Sequence, residues 1–196
     1  GIVFIRLRAD RDLLWLAQKL GADEAEAEIA AWIKHAEAGV DYFWNDELGA
    51  FCARDVRSGV FSDGFSNASA LCFYADVGSA EQRRKTLAHM SRISTKTQYG
   101  QSSWDPDAPL FESQRYWCGP LWCQMNYMIA QGLREQGEAE FAEKMRQDLR
   151  KVIELSGFYE CFDPISGAGC IGRDFSWTAA LWLAWAGPSP VQSSAA

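Results

Sequence analysis

The sequence predicts an all-α protein of about seven helices, paired as hairpins and stacked into part of a toroid. Three observations predict it. Apolar residues recur at three- and four-residue spacing along most of the chain. Gly21, Gly137 and Gly157 each follow an amphipathic segment, where glycine closes a helix. Short turns alternate with two long loops, over 45–64 and 95–119, the second rich in aromatic residues. No repeat of fixed period supports a true solenoid.

Taken in order, Arg8 to Leu20 carries Leu13, Leu14, Leu16, Ala17 and Leu20 ahead of Gly21. Ala22 to Trp44 follows, with Ile29, Ile33, Ala36, Val40 and Phe43 as one buried stripe. Asp46, Gly49, Asp55, Ser58 and Gly59 mark 45–64 as loop. A short apolar helix is expected over Asn67–Asp76 and another over Ala80–Ile93. Thr95 to Gly119 holds Gly100, Pro106 and Pro109 together with Trp104, Tyr116 and Trp117. A loop of that length in a compact domain is usually functional or disordered, and its aromatic content argues against disorder. Pro120 suits the first turn of a helix through Leu121, Met125, Met128, Ile129 and Leu133. Glu138 to Ser156 turns Phe141, Met145, Leu149, Val152 and Ile153 inward, and a last helix runs from about Ser176 to Trp185. Strand signals are confined to Phe51-Cys52-Ala53 and Tyr159–Phe162. Residues 1–187 read as one domain, and 188–196, rich in Pro, Ser and Ala, as a flexible tail.

Composition narrows the partners. A net charge of −7 over 196 residues disfavours nucleic acid and anionic membrane surfaces, and no apolar run reaches membrane length. Arg83-Arg84-Lys85 reads as a solvated helix face. Nine Trp in a chain of this length suggest stacking surfaces as well as core. The six Cys form no Cys-x-x-Cys pair, and His35 and His89 lie far apart, so neither a structural metal nor a cofactor is expected. The thiols are read as free and reduced, and the protein as cytoplasmic.

Chemistry concentrates in Gly157–Gly172, where one carboxylate, Glu160, stands among Phe158, Tyr159 and Phe162 ahead of a Gly-rich loop. A lone acid walled by rings suits holding a sugar and activating a water beside it. The plain alternative is a helix cap, a turn and a surface Glu. Two segments carry further signal. One is Gln114-Arg115-Tyr116-Trp117-Cys118-Gly119-Pro120-Leu121-Trp122, continuing to Asn126-Tyr127; the other runs from Gly157-Phe158-Tyr159-Glu160 through Asp163-Pro164 to Phe175-Ser176-Trp177-Thr178. In order and spacing they resemble the C-terminal motifs of (α/α)6-barrel glycosidases. The closest resemblance is to glycoside hydrolase family 63 and its relatives: processing α-glucosidases, mannosylglycerate and glucosylglycerate hydrolases and, more distantly, trehalases. Ala9-Asp10-Arg11-Asp12-Leu13 through Trp44 and Asp55 resembles the helical pair and loop that precede these motifs.

The resemblance implies a partial (α/α)6 toroid and an inverting mechanism with Glu160 as general base. It implies substrate contacts from Tyr116, Trp117, Trp122, Asn126, Phe158, Tyr159 and Trp177, with Phe175 and the stripe at Met125, Met128, Ile129 and Leu133 in the core. The paired general acid, an Asp, is expected well upstream and therefore before Gly1. The chain is accordingly expected to be the C-terminal portion of such a barrel, inactive alone, and either homo-oligomeric or completed by a missing N-terminal half. Its expected ligand is a carbohydrate of α-glucoside or α-mannoside type. Asp163 reads as a turn residue and Asp105 as a poor substitute acid. Cys118 stands where relatives usually carry Arg, which puts recognition of an anionic substrate in question. The competing reading is a non-catalytic carbohydrate-binding or assembly module. An isoprenoid-handling α-toroid is disfavoured, because no Asp-Asp-x-x-Asp cluster is present.

Overall fold

The structure, a computed structural model, describes residues 1–188. The expected tail therefore falls, from Ser189 onward, outside the described residues. Seven α-helices are present among them: α1 (Ile2–Leu20), α2 (Asp23–Ala38), α3 (Leu71–Tyr74), α4 (Ala80–Ile93), α5 (Cys123–Glu135), α6 (Ala139–Ser156) and α7 (Ser176–Leu181). α7 passes into a π-helical turn over Trp182–Ala186. Gly21 closes α1 with a φ of 64°, in the left-handed region. α4 opens on a capping box, in which Ser79 and Gln82 satisfy each other's backbone N–H groups.

The all-α expectation needs correction, because two small antiparallel sheets accompany the helices. β1 (Trp44–Asn45) pairs with β2 (Ala50–Phe51). β3 (Leu121–Trp122), β4 (Tyr159–Phe162) and β5 (Gly169–Arg173) form a second sheet in the order β3-β4-β5. β3 lies where Pro120 suggested a helical first turn. Proline is equally at home just ahead of a strand, and α5 starts three residues later than the sequence suggests.

Alternate helices form a row. α1 packs on α3, α3 on α5 and α5 on α7, while α2 backs α1 and α6 backs α5. Gly132 lets α3 and α5 meet: a Cβ there would lie 2.2 Å from the backbone nitrogen of Tyr74. The main core lies along this row and includes Leu7, Ile29, Leu71, Phe73, Met90, Ile129, Leu133 and Met145. A second cluster joins Leu121, Leu149, Val152, Ile153, Phe162 and Ala186 beneath the three-stranded sheet.

The loops before α3, α5 and α7 are stitched together by a series of short antiparallel pairings. Ser66 pairs with Trp104, Ser102 with Leu121, and Leu121 with Phe162. Arg92 of α4 anchors the long loop from outside through ion pairs to Asp105 and Asp107, and Lys96 adds a second contact to Asp107. No helix among the described residues is long and apolar enough to cross a membrane.

Candidate active site

Glu160 sits on β4 beside a β-bulge. Tyr159 pairs with Arg173 and Cys161 with Cys170, so Glu160 alone stands opposite both Ile171 and Gly172. The extra residue forces Ile171 to a φ of 61°. That conformation is strained for a β-branched side chain, by about 1–3 kcal/mol, and such strain and bulges gather at functional sites. The bulge sets Gly172 against the carboxylate: a Cβ there would lie 3.5 Å from Glu160 Oε2 and 3.9 Å from Phe175 Cδ2. Glu160 and the Phe175 ring thus flank Gly172. The carboxylate is half-buried and has no hydrogen bond or ion pair among the described residues, which leaves its lone pairs open. The backbone around it is pinned, with Thr178 Oγ1 donating to the Tyr159 carbonyl at 2.6 Å and Phe175 N–H to the Phe158 carbonyl at 2.9 Å.

The aromatic wall is layered. Trp117 lies flat on Trp122, with ring centres 4.2 Å apart and planes 7° from parallel. Tyr116 meets Trp122 edge-on at 4.9 Å, and Trp122 Nε1 donates to the Tyr116 carbonyl at 3.1 Å. Tyr116 and Trp117 are exposed, whereas Trp122 is 2% exposed. Trp122 lies opposite Cys161 across the β3–β4 pairing, one residue from Glu160, and this brings wall and carboxylate to the same sheet.

Two of the residues expected at the substrate are buried. Trp122 is the buried shelf on which Trp117 rests, not a face open to ligand. Asn126 is fully buried: its Oδ1 accepts from Gln101 N–H at 2.8 Å, and its Nδ2 donates to the carbonyls of Gln101 and Trp122. One helical turn beyond Trp122 points into the core, so Asn126 clamps the long loop. Trp177 is exposed and tilts against Phe175, with ring centres 5.6 Å apart. Tyr159, half-buried, lies against the backbone of Gly169, where a Cβ would come within 2.2 Å of its ring. Phe158, also half-buried, meets Trp182 edge-on. Phe175, expected in the core, is half-exposed beside Glu160. The bulge at Ile171–Gly172 explains why that placement escapes the sequence.

Asp163 forms the expected turn, accepting from Ile165 and Ser166 N–H groups. Asp105 is buried against Arg92, a poor setting for a substitute acid. The described residues contain no cluster of three or more His, Cys, Asp or Glu suited to a metal. Near Cys118, the Arg115 guanidinium is engaged by Glu112 at 2.7 Å.

All six cysteines are free thiols, and only Cys118 is not buried. Burial pushes Cys72, Cys123 and Cys161 up to about 12 and raises Cys52 and Cys170 as well. These five stay protonated at neutral pH and react slowly. Brief treatment of the native protein with a maleimide is expected to add one label, at Cys118, with the other five labelled only on unfolding. Intact-mass and peptide analysis checks this; early labelling of Cys161 or Cys123 contradicts the packing beneath Glu160.

The family described as the mannosylglycerate hydrolase MGH1-like glycoside hydrolase domain matches residues 1–178. Mannosylglycerate hydrolase MGH1 of Selaginella moellendorffii is 36% identical over 178 residues, 91% of this chain and 36% of that protein. A mannosylglycerate hydrolase of Thermus thermophilus is 37% identical over 187 residues, 94% of this chain and 44% of the relative. The crystal structure of a glycoside hydrolase family 63 mannosylglycerate hydrolase, also of Thermus thermophilus, in complex with Tris and D-glycerate, superposes with a TM-score of 0.89 at 36% identity. The match covers 93% of this chain and 44% of that one. The chain thus spans less than half the length of these relatives. With the motifs around Trp117 and Glu160 falling inside the matched residues, the chain belongs to the MGH1-like family of glycoside hydrolases.

Proposed function

We propose that this chain is the base-bearing part of an inverting glycosidase that cleaves α-glucoside or α-mannoside bonds. The observation that carries the reading is Glu160: a half-buried carboxylate with no partner among the described residues, set on a bulge beside Gly172, on the sheet whose first strand carries Trp122. In this role Glu160 removes a proton from the water attacking the anomeric carbon. Tyr116, Trp117 and Trp177 offer ring faces to the sugar, with Phe175 lining the floor beside Gly172 and Phe158 and Tyr159 bracing the strand. An inverting pair needs a second carboxyl group about 6.5–9.5 Å away across the scissile bond. That general acid, an Asp, comes from outside these residues, and the chain alone is inactive.

The row α1-α3-α5-α7 is read as an arc of an (α/α)6 toroid. Ile2, Leu13, Leu16 and Leu20 are exposed along one side of α1, and Trp177 and Leu183 at the other end of the row. Unpartnered apolar surface of this kind supports association, with the remaining half of the toroid or with another copy. The relatives named for mannosylglycerate, and the D-glycerate in the Thermus complex, make a glycerate glycoside the first substrate to try. Cys118, offering no charge, favours a neutral aglycone instead. The free thiols support a reducing, cytoplasmic setting.

The test is a hydrolysis time course followed by proton NMR on the protein assembled with its acid-bearing segment. Mannosylglycerate and simple α-mannosides and α-glucosides are the substrates. The expected first product is the β-anomer. Initial release of the α-anomer overturns the inverting assignment, and absence of both binding and turnover overturns the reading.

A further inference from the structure

Four aspartates are buried among the described residues: Asp10, Asp105, Asp148 and Asp163. Three of them face a cation: Asp10 faces Arg6, Asp105 faces Arg92, and Asp148 faces Lys144 and Lys151. Asp163 forms no ion pair among the described residues and is held by neutral donors alone. Those donors come from two separate segments. Oδ1 accepts from the N–H groups of Ile165 and Ser166, at 2.9 and 3.4 Å, within its own turn. Oδ2 accepts from Ser113 Oγ at 3.2 Å and from Gln114 Nε2 at 3.1 Å, about fifty residues earlier in the chain.

The two segments are the ones that meet at the proposed site. Asp163 follows Glu160 by three residues on the β4–β5 hairpin, and Ser113 and Gln114 lead directly into Tyr116 and Trp117. We infer that Asp163 is a positioning residue, whose two oxygens fix the hairpin bearing Glu160 against the loop bearing the Tyr116–Trp117 wall.

Burial works to raise its pKa, but hydrogen bonds from Ile165, Gln114 and Ser166 outweigh it, and the net shift is downward. The ionised form is therefore the one the tie uses at neutral pH. A buried charge without a counter-ion is stable only while its donors stay in place, so the tie resists the two segments drifting apart. The hairpin turn has an independent anchor, because the Pro164 carbonyl accepts from the N–H groups of Gln98 and Tyr99. Cutting the Asp163 tie from the loop side therefore leaves the turn in place.

The inference rests on the glycosidase reading only for its consequence, and the experiment separates the two. Ser113→Ala with Gln114→Ala removes the loop-side donors and leaves Asp163 its own turn. Two readouts on the protein assembled with its acid-bearing segment are compared with wild type. One is the exciton-coupled circular dichroism of the stacked Trp117–Trp122 pair, which needs no ligand. The other is affinity for methyl α-mannoside and methyl α-glucoside, titrated by tryptophan fluorescence. The expected result is a weakened couplet and affinity down about tenfold or more, since small misplacements at a site are costly, with Tm lowered by about a few degrees because the buried carboxylate loses two donors. Asp163→Ala, which also releases the bonds to Ile165 and Ser166, is expected to give at least that loss, and the combined variant no more than Asp163→Ala alone, because Ser113 and Gln114 act only through Asp163. An unchanged couplet, or a fall in Tm with couplet and affinity intact, overturns the inference. A lost couplet in a protein whose wild type binds neither glycoside supports the tie and sinks the carbohydrate reading.

Discussion

Replacing Gly132 by alanine is expected to destabilise the protein by about 3 kcal/mol, against the helix-propensity trend. Alanine within a helix is ordinarily favoured over glycine by about 1 kcal/mol. At Gly132 the added methyl would lie 2.2 Å from Tyr74 N, 2.3 Å from Phe73 C and 2.5 Å from Tyr74 Cα. All three are backbone atoms of α3, so no side chain can turn aside. α3 and α5 must separate by roughly 1 Å, and overpacking of this kind typically costs about 1–3 kcal/mol or more. The separation also loosens Leu71, Phe73, Ile129 and Leu133, which share that core. For a domain of this size the loss corresponds to a fall in Tm of about 6–12 °C. Thermal unfolding followed by circular dichroism is the measurement. A variant as stable as wild type means that the two helices do not meet at Gly132, and the row α1-α3-α5-α7 falls with it.

Gly132 also shows where legibility in the sequence ends. The helices are legible because their apolar residues repeat and their ends carry glycine or a Ser-x-x-Gln box: α4 appears over the expected Ala80–Ile93, and α6 starts one residue after the expected Glu138. The one glycine inside α5 looks like a defect in a helical pattern, since nothing local announces a neighbouring backbone. β4 falls on the expected Tyr159–Phe162, but the other strands are nearly invisible for a related reason. β1, β2 and β3 are two residues each, too short for a two-residue alternation to register, and β5 is Gly-Cys-Ile-Gly-Arg, held by pairing and not by propensity. At the site, Glu160 and the exposed rings of Tyr116, Trp117 and Trp177 stand out in the sequence because charged or aromatic residues cluster around glycine. Whether a ring faces solvent or core is set by tertiary packing. Trp117 and Trp122 therefore look alike as letters yet lie on opposite sides of one stack. Asn126 misleads for the same reason: a helical wheel gives its angle but not the loop at Gly100–Ser102 that covers it.

Glu160→Gln is expected to lower kcat by about 10²–10⁴-fold in the protein assembled with its general acid, the usual contribution of a general base. That corresponds to about 3–5 kcal/mol of transition-state stabilisation. The amide has the shape of the carboxylate and keeps its place beside Gly172, but it cannot take a proton from water. Because Glu160 makes no hydrogen bond or ion pair among the described residues, stability should change by no more than about 0.5 kcal/mol. Glycoside affinity should stay within about threefold, since the rings of Tyr116, Trp117 and Trp177 are untouched. This combination separates the two functional readings. An enzyme keeps binding and stability while turnover collapses; a carbohydrate-binding module has no turnover to lose and responds instead to removal of Trp117. Turnover within about threefold of wild type in Glu160→Gln would take the base away from this hairpin altogether. The strained bulge at Ile171 would then need another purpose, because a left-handed β-branched residue costs about 1–3 kcal/mol.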